Sequence, residues 1–305
     1  MHGEEVKQQF SLIADNPIDP VEVLDISGAI TADCPTCLTI LADTLDDNQF
    51  RNDKTSFLFR YSNAVTAISI KLQFKNGVFA DVATLNDNTY GTFFALGFIV
   101  DDKNRSYIGY LVDWRLVLAA FGEGFYRVVT DETTIFGANS QTTAEYCLKT
   151  YLANRAEGSL KIETYTTQIR GDINDQTDFI DFGTAAWYNS TRLCGIFGFD
   201  TSDYTDERVE FRNGQRKWIT DIQETKYLMA LKPIPQELHN FVKTDILQAD
   251  EIFITDYNKN NPNKHIQTLV LRDGNYEPKW NANTLLASVE VQFKTAYNNL
   301  RKRRC

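Results

Sequence analysis

Apolar positions alternate with polar ones along much of this chain. Ile68, Ile70, Leu72 and Phe74 are separated by Ser69, Lys71 and Gln73, and Asn76-Gly77 precedes Val78-Phe79-Ala80-Asp81-Val82. A period of two with one apolar face predicts a half-buried strand, and Asn-Gly is a strong hairpin turn. Phe93 to Val100 is a continuous apolar run stopped by Asp101-Asp102-Lys103-Asn104, the pattern expected of a strand buried on both faces. Further on, β-branched and aromatic residues dominate Ser159 to Thr166. Val209-Glu210-Phe211-Arg212, Asn213-Gly214 and Gln215 to Ile219 then predict a second hairpin. Closing strands are expected at Glu251 to Thr255, at Thr268 to Arg272, and where Val289, Val291 and Phe293 alternate with Glu290 and Gln292.

The period changes in two places. Trp114, Val117, Leu118 and Phe121 fall at i, i+3, i+4 and i+7, so they share one face of a short helix. Asp113 is placed to cap its first turn and Gly122 to end it, while Gly124 lets the chain turn again before the strand that starts at Phe125. Pro233 and Pro235 stop a strand and open a second helix, with Leu238, Phe241, Val242 and Ile246 on one face.

These elements predict a mainly β protein: two β-sandwich or barrel-like modules, each with a short helix. The organisation expected is an extended N-terminal arm over residues 1–55, a first β-rich module over 56–150, and a second over 151–305 with a basic C-terminal tail. The arm carries short apolar pieces, Val21-Glu22-Val23-Leu24 and Leu38-Thr39-Ile40-Leu41, without a sustained period. The 305 residues are enough to bury a sizeable core. A composition of 43% hydrophobic and 24% charged residues excludes wholesale disorder. With 20 Phe and 14 Tyr against 2 Met, the chain favours pleated surfaces over helical bundles.

Charge narrows the partners. A formal net charge of -10 works against a phosphate-gripping surface, so no direct nucleic-acid binding is expected. Against that background Arg301, Lys302, Arg303 and Arg304 stand together as four consecutive cations. Their two readings are a solvated terminus and a tail that docks on an acidic patch of a neighbouring subunit, a candidate subunit interface. No apolar run is long enough to span a bilayer and the first residues lack a signal-peptide pattern, so no membrane segment is expected. Five cysteines, an odd number, point to reduced thiols in a cytoplasmic setting, with Cys147 and Cys194 packed as small hydrophobes.

Residues able to do chemistry are scattered. Cys34-Pro35-Thr36-Cys37 could supply half a zinc site or a redox pair, but no second closely spaced pair completes it, and two unligated thiols are expected. Of the histidines, His2 lies at the start, while His239 and His265 are read as surface residues. Asp178 with Asp181, and Asp203, Asp206 and Glu207, are acids whose spacing a glycosidase could use, but solvated loop carboxylates are the favoured reading. Asp256-Tyr257-Asn258-Lys259-Asn260 imitates the start of a calcium loop. Asn261 and Gln267 break the pattern where Gly and Glu belong, which leaves an Asn-rich turn bonded to its own backbone. Arg170-Gly171-Asp172 and the formal sequon Asn189-Ser190-Thr191 have no supporting context. No catalytic residue, cofactor or metal ligand is therefore assigned.

The order of certain pieces resembles structural proteins from tailed bacteriophages and prophages of Bacteroidota hosts. The pieces are Asp113-Trp114, Val117-Leu118, Phe121-Gly122-Glu123-Gly124-Phe125-Tyr126, Glu145-Tyr146-Cys147-Leu148-Lys149 and Gly195-Ile196-Phe197-Gly198. Ala249-Asp250-Glu251-Ile252, Asp256-Tyr257-Asn258 and Val291-Gln292-Phe293 complete the likeness. The resemblance implies a non-enzymatic virion component made in the host bacterial cytoplasm. It would be a ring-forming tail, baseplate or head-to-tail connector protein, whose partners are copies of itself and other virion proteins. Two alternatives are a capsid protein with two jelly-roll modules, and a carbohydrate-binding adhesin in which Tyr188, Tyr204 and Trp218 stack on sugars.

Overall fold

The computed structural model describes residues 38–45, 50–61, 65–100, 106–135, 137–143, 145–170, 179–182, 187–234, 236–258, 267–282, 286–296 and 299–302. Strands dominate the described residues, so the protein is mainly β, with barrel-like architecture.

The first half is built from β1 (Leu38–Ala42), β2 (Lys54–Tyr61), β3 (Val65–Asn76), β4 (Val78–Thr84), β5 (Gly91–Val100), β6 (Ser106–Asp113), α1 (Trp114–Phe121), β7 (Gly124–Thr134), β8 (Gly137–Thr142) and β9 (Tyr146–Thr150). One sheet runs β1-β9-β7-β3-β4, with β8 also on β7, and a second runs β2-β6-β5. Along β3, Ile70 and Leu72 are fully buried, as the alternation requires. Gly77 turns the chain with φ +76°, a conformation that only glycine adopts freely. Among the described residues β5 pairs with β6 alone.

Helix α1 fills the space between these sheets. The Asp113 carboxylate accepts from Arg115 N at 3.1 Å and Gly122 N donates to Leu118 O at 2.9 Å, so both ends are capped as predicted. Trp114, Val117 and Leu118 are buried, and Phe121 is half-buried against Tyr90, with ring centroids 5.4 Å apart. Trp114 packs on Tyr146 and Tyr126 and donates through Nε1 to Thr55 Oγ1 at 2.8 Å. Gly124 has a different reason from the turn expected of it: a Cβ there would collide with the Phe74 ring.

The second half contains α2 (Ala153–Ala156), β10 (Ser159–Thr166), β11 (Gln168–Arg170), β12 (Phe179–Asp181), β13 (Trp187–Glu210) and β14 (Arg216–Ile234). Then come α3 (Gln236–Phe241), a π turn at Val242–Ile246, β15 (Glu251–Asp256), β16 (Gln267–Arg272), β17 (Lys279–Trp280), β18 (Ala287–Thr295) and β19 (Asn299–Lys302). Six strands close into an antiparallel barrel in the order β10-β13-β14-β18-β16-β15, with β15 returning to β10. The meander β10-β13-β14 is followed, through α3, by β15 alongside β10, which is a Greek key. Val242 and Ile246 of the π turn are buried as the helical spacing predicted. One connected set of buried apolar residues runs from Phe57 and Trp114 in the first half to Ile162, Met229 and Phe293 in the second.

The β13–β14 hairpin is far longer than the short one predicted around Asn213-Gly214. Its strands have 24 and 19 residues and pair from Gly195 opposite Leu231 to Glu210 opposite Arg216, with register shifts between Gly198 and Thr201 and between Glu207 and Arg208. β10 pairs with β13 only as far as Cys194, and β18 pairs with β14 only from Lys226 onward. Beyond Thr201, which lies opposite Lys226, the hairpin continues for nine residues of β13, roughly 30 Å at about 3.3 Å per residue.

The described part of the expected arm is packed into the body. β1 pairs in parallel with β9, and Asn52 and Asp53 are buried.

Candidate functional site

Strand β10 alternates in the expected way: Leu160 and Ile162 enter the apolar core, which places Lys161, Glu163 and Tyr165 on the opposite face. Register extends that face sideways. Lys161 lies between Arg192 and Thr255, Glu163 between Ser190 and Phe253, and Tyr165 between Tyr188 and Glu251. Taken alone this is the polar outside of a barrel, yet Lys161 is 1% and Glu163 3% exposed. The cover is the connection between β1 and β2, which lies across it.

Each charge under that cover has partners. Arg192 grips Asp53 with two bonds, Nη2 to Oδ1 at 2.7 Å and Nε to Oδ2 at 3.2 Å, while Asp53 Oδ2 also accepts from Leu41 N at 2.9 Å. The guanidinium sits 4.5 Å from the centre of the Tyr257 ring and donates through Nη1 to Ser159 Oγ at 3.2 Å. Lys161 Nζ donates to Asn52 O at 2.8 Å and lies 3.3 Å from Glu163 Oε1. Glu163 further accepts from Tyr188 OH and from Gln267 Nε2, each at 2.8 Å. Tyr257 OH donates to Phe50 O, and Ser56 Oγ to Tyr188 O.

Electrostatics follow burial. Desolvation pulls the Lys161 amine below its ordinary range, opposed by Glu163 and Asp53. Burial, reinforced by Glu163, pushes the Tyr188 hydroxyl well up, so it stays a donor. Desolvation also works against the Arg192 charge, but Asp53 outweighs it and raises the group above its usual value.

A cavity of about 150 Å³ lies beside this cluster, lined by Asn52, Lys54, Leu111, Glu163, Tyr165 and Tyr188. Its charged groups already have partners: both Glu163 oxygens accept hydrogen bonds, and Lys54 Nζ lies 3.7 Å from Asp113. Chemically, the arrangement is a clasp that holds residues 50–56 to the barrel.

Residues singled out by sequence lie elsewhere. Arg301 and Lys302 are in β19, opposite Asp221 and Thr220 of β14, so they belong to a paired strand rather than a frayed end. Arg303 and Arg304 lie outside the described residues, as do Cys34, Cys37, His2, His265, Asp178 and the Gly171-Asp172 pair. The expectation of reduced thiols fails at Cys147, which is disulfide-bonded, whereas Cys194 is a free, buried thiol 3.0 Å from Gly158 O.

His239 is not a surface residue. It is 3% exposed, with Nδ1 on Tyr276 OH and Nε2 2.9 Å from Ala287 O, because α3 is pressed onto the β17–β18 edge. At the imitation calcium loop, Asp256 accepts from Phe197 N and Asn258 N, and Asn258 bonds Gly158 N and Gly195 O. Those oxygens are taken up by backbone, the Asx-type turn predicted. Asn189 to Thr191 lie within β13, opposite Thr164 to Ile162 of β10. Tyr188 is bonded to Glu163 and so is not a free stacking platform.

Sequence reasoning missed Asp53, Lys161, Glu163 and Arg192. Nothing local could have shown them, since alternate charges on a strand read as a solvated face until another layer covers it. No family model matches the chain, and no curated protein matches its sequence.

Proposed function

We propose that this protein is a bacteriophage virion subunit made in the host bacterial cytoplasm, a ring-forming component of the tail, baseplate or head-to-tail connector, with no catalytic step of its own. The observation that supports this reading is the β13–β14 hairpin. The barrel uses its own strand edges by closing, while the hairpin carries unclosed edges away from it. Natural proteins cover, blunt or pair such edges, so a long one left open is a site for another chain. The Cys147 disulfide suits a particle that leaves the reducing cytoplasm.

The clasp contributes a rigid body. Its buried charges lock the connection between β1 and β2 to the barrel, so neighbouring subunits would meet a defined surface. Of the three aromatics in the carbohydrate-binding alternative, Tyr188 is already engaged.

Mass photometry and negative-stain microscopy of the purified protein test the proposal. Closed rings of defined copy number are expected. A strictly monomeric particle across the micromolar range overturns it.

A further inference from the structure

The outer part of the hairpin is a three-stranded sheet in which β14 is central, with β13 on one side and β19 on the other. Among the described residues, no strand pairs with the far side of β13 between Thr201 and Val209, or with the far side of β19. Among the described residues the sheet therefore ends on two unpaired edges.

Those edges differ in charge. β13 between Thr201 and Val209 carries Asp203, Asp206 and Glu207 against the single cation Arg208, whereas β19 carries Arg301 and Lys302 and no acid. Register lines these residues up across the sheet. One row reads Asp206, Asp221, Arg301 and the next reads Glu207, Thr220, Lys302. Like charges directly opposite are unfavourable and opposite charges favourable, and the register sets the acid positions 206 and 221 beside a cation position on one side only, at 301. A cation row on the far side of β13 would balance them from the other.

From this we infer that β19 of one copy adds to the β13 edge of the next, making a sheet that passes from subunit to subunit. The inference rests on the ring reading above and names its contact. β13 and β19 both run antiparallel to β14, so they are parallel to each other. A rotation axis along the strands brings β19 of one copy beside β13 of its neighbour in the same direction, which gives a parallel pair with positions 301 and 302 level with positions 206 and 207. The contact is heterologous, and repeating it closes a ring in which neither edge remains open. Opposite edge charges also answer the repulsion between bodies of net charge -10.

Charge reversal tests this in the full-length protein. Two variants are made, Asp206→Lys with Glu207→Lys and Arg301→Glu with Lys302→Glu, and each is checked for a cooperative melt close to wild type. If either melts poorly, the milder pair Glu207→Lys and Lys302→Glu replaces them.

Mass photometry reads the outcome. Wild type is expected to form rings and each variant alone to be monomeric, while an equimolar mixture regains association as strictly alternating assemblies, closed rings where the copy number is even and open chains where it is odd, in which each contact is again between opposite charges. With both variants melting close to wild type, so that β19 is still paired, failure of the mixture to associate overturns the inference. If wild type and both variants form the same rings, the contact lies elsewhere and the ring reading survives. A wild type that stays monomeric under all conditions overturns both.

Discussion

Arg192 on β13 and Asp53, 139 residues away, form a two-point ion pair in which each side chain is only 6% exposed. The same carboxylate accepts from Leu41 N, so one acid joins the β1 strand, the connection after it and the barrel. Removing one member leaves the other buried and uncompensated.

Arg192→Met and Asp53→Leu are each expected to lower stability by about 3–5 kcal/mol. The double replacement Arg192→Met with Asp53→Leu should lose clearly less than the sum, because it leaves no orphaned charge. Urea unfolding of the four proteins checks this, and additive losses would show that the pair is not coupled.

Gly124 faces the Phe74 ring, where a Cβ would overlap ring atoms. Gly124→Ala should therefore cost about 1–3 kcal/mol by overpacking. Adding Phe74→Leu should recover part of the loss by making room, visible as a higher melting temperature than in the single variant. No recovery would mean that backbone conformation dominates at this glycine.

Burial holds His239 below the ordinary histidine value of 6.5. The folded state therefore favours the neutral ring, and stability is fully present above pH 6.5 and falls as pH drops through the lower folded value. The melting temperature of wild type should decline across that interval more than that of His239→Phe. Parallel pH profiles for the two proteins would remove the histidine from the account.

Cys147 and Cys194 are both buried and differ in bonding, the first a disulfide and the second a free thiol. Peptide mapping without reductant should recover Cys147 in a crosslinked peptide, and a thiol reagent should label Cys194 only on unfolding. Cys147→Ser is expected to cost about 2–4 kcal/mol under oxidising conditions and little under reducing ones. A Cys147 that is alkylated in the native protein would contradict the bond.

Much of the local structure could be read in advance. The Asp113 cap, the Trp114 face, the Gly122 stop and the Asn76-Gly77 turn were legible because each depends on residues within one helical turn or one hairpin. The long hairpin was visible only at its tip. Asn213-Gly214 has turn chemistry, whereas polar pairs such as Asp203 and Glu224 farther back carry no alternating apolar signal to announce a strand. Cys147 and His239 misled for a related reason: a disulfide and a buried imidazole depend on neighbours distant along the chain.

By itself the sequence determined element types, turn positions and the identity of the apolar faces, since strand period, helix period and glycine conformations are properties of neighbouring residues. Barrel closure, the cover over Lys161 and Glu163 and the pairing of Arg192 with Asp53 were decided by tertiary structure alone. Whether an outward-facing charge meets water or another layer depends on which segment packs above it, and Asp53 reaches Arg192 only after β1, β10 and β13 have been brought together.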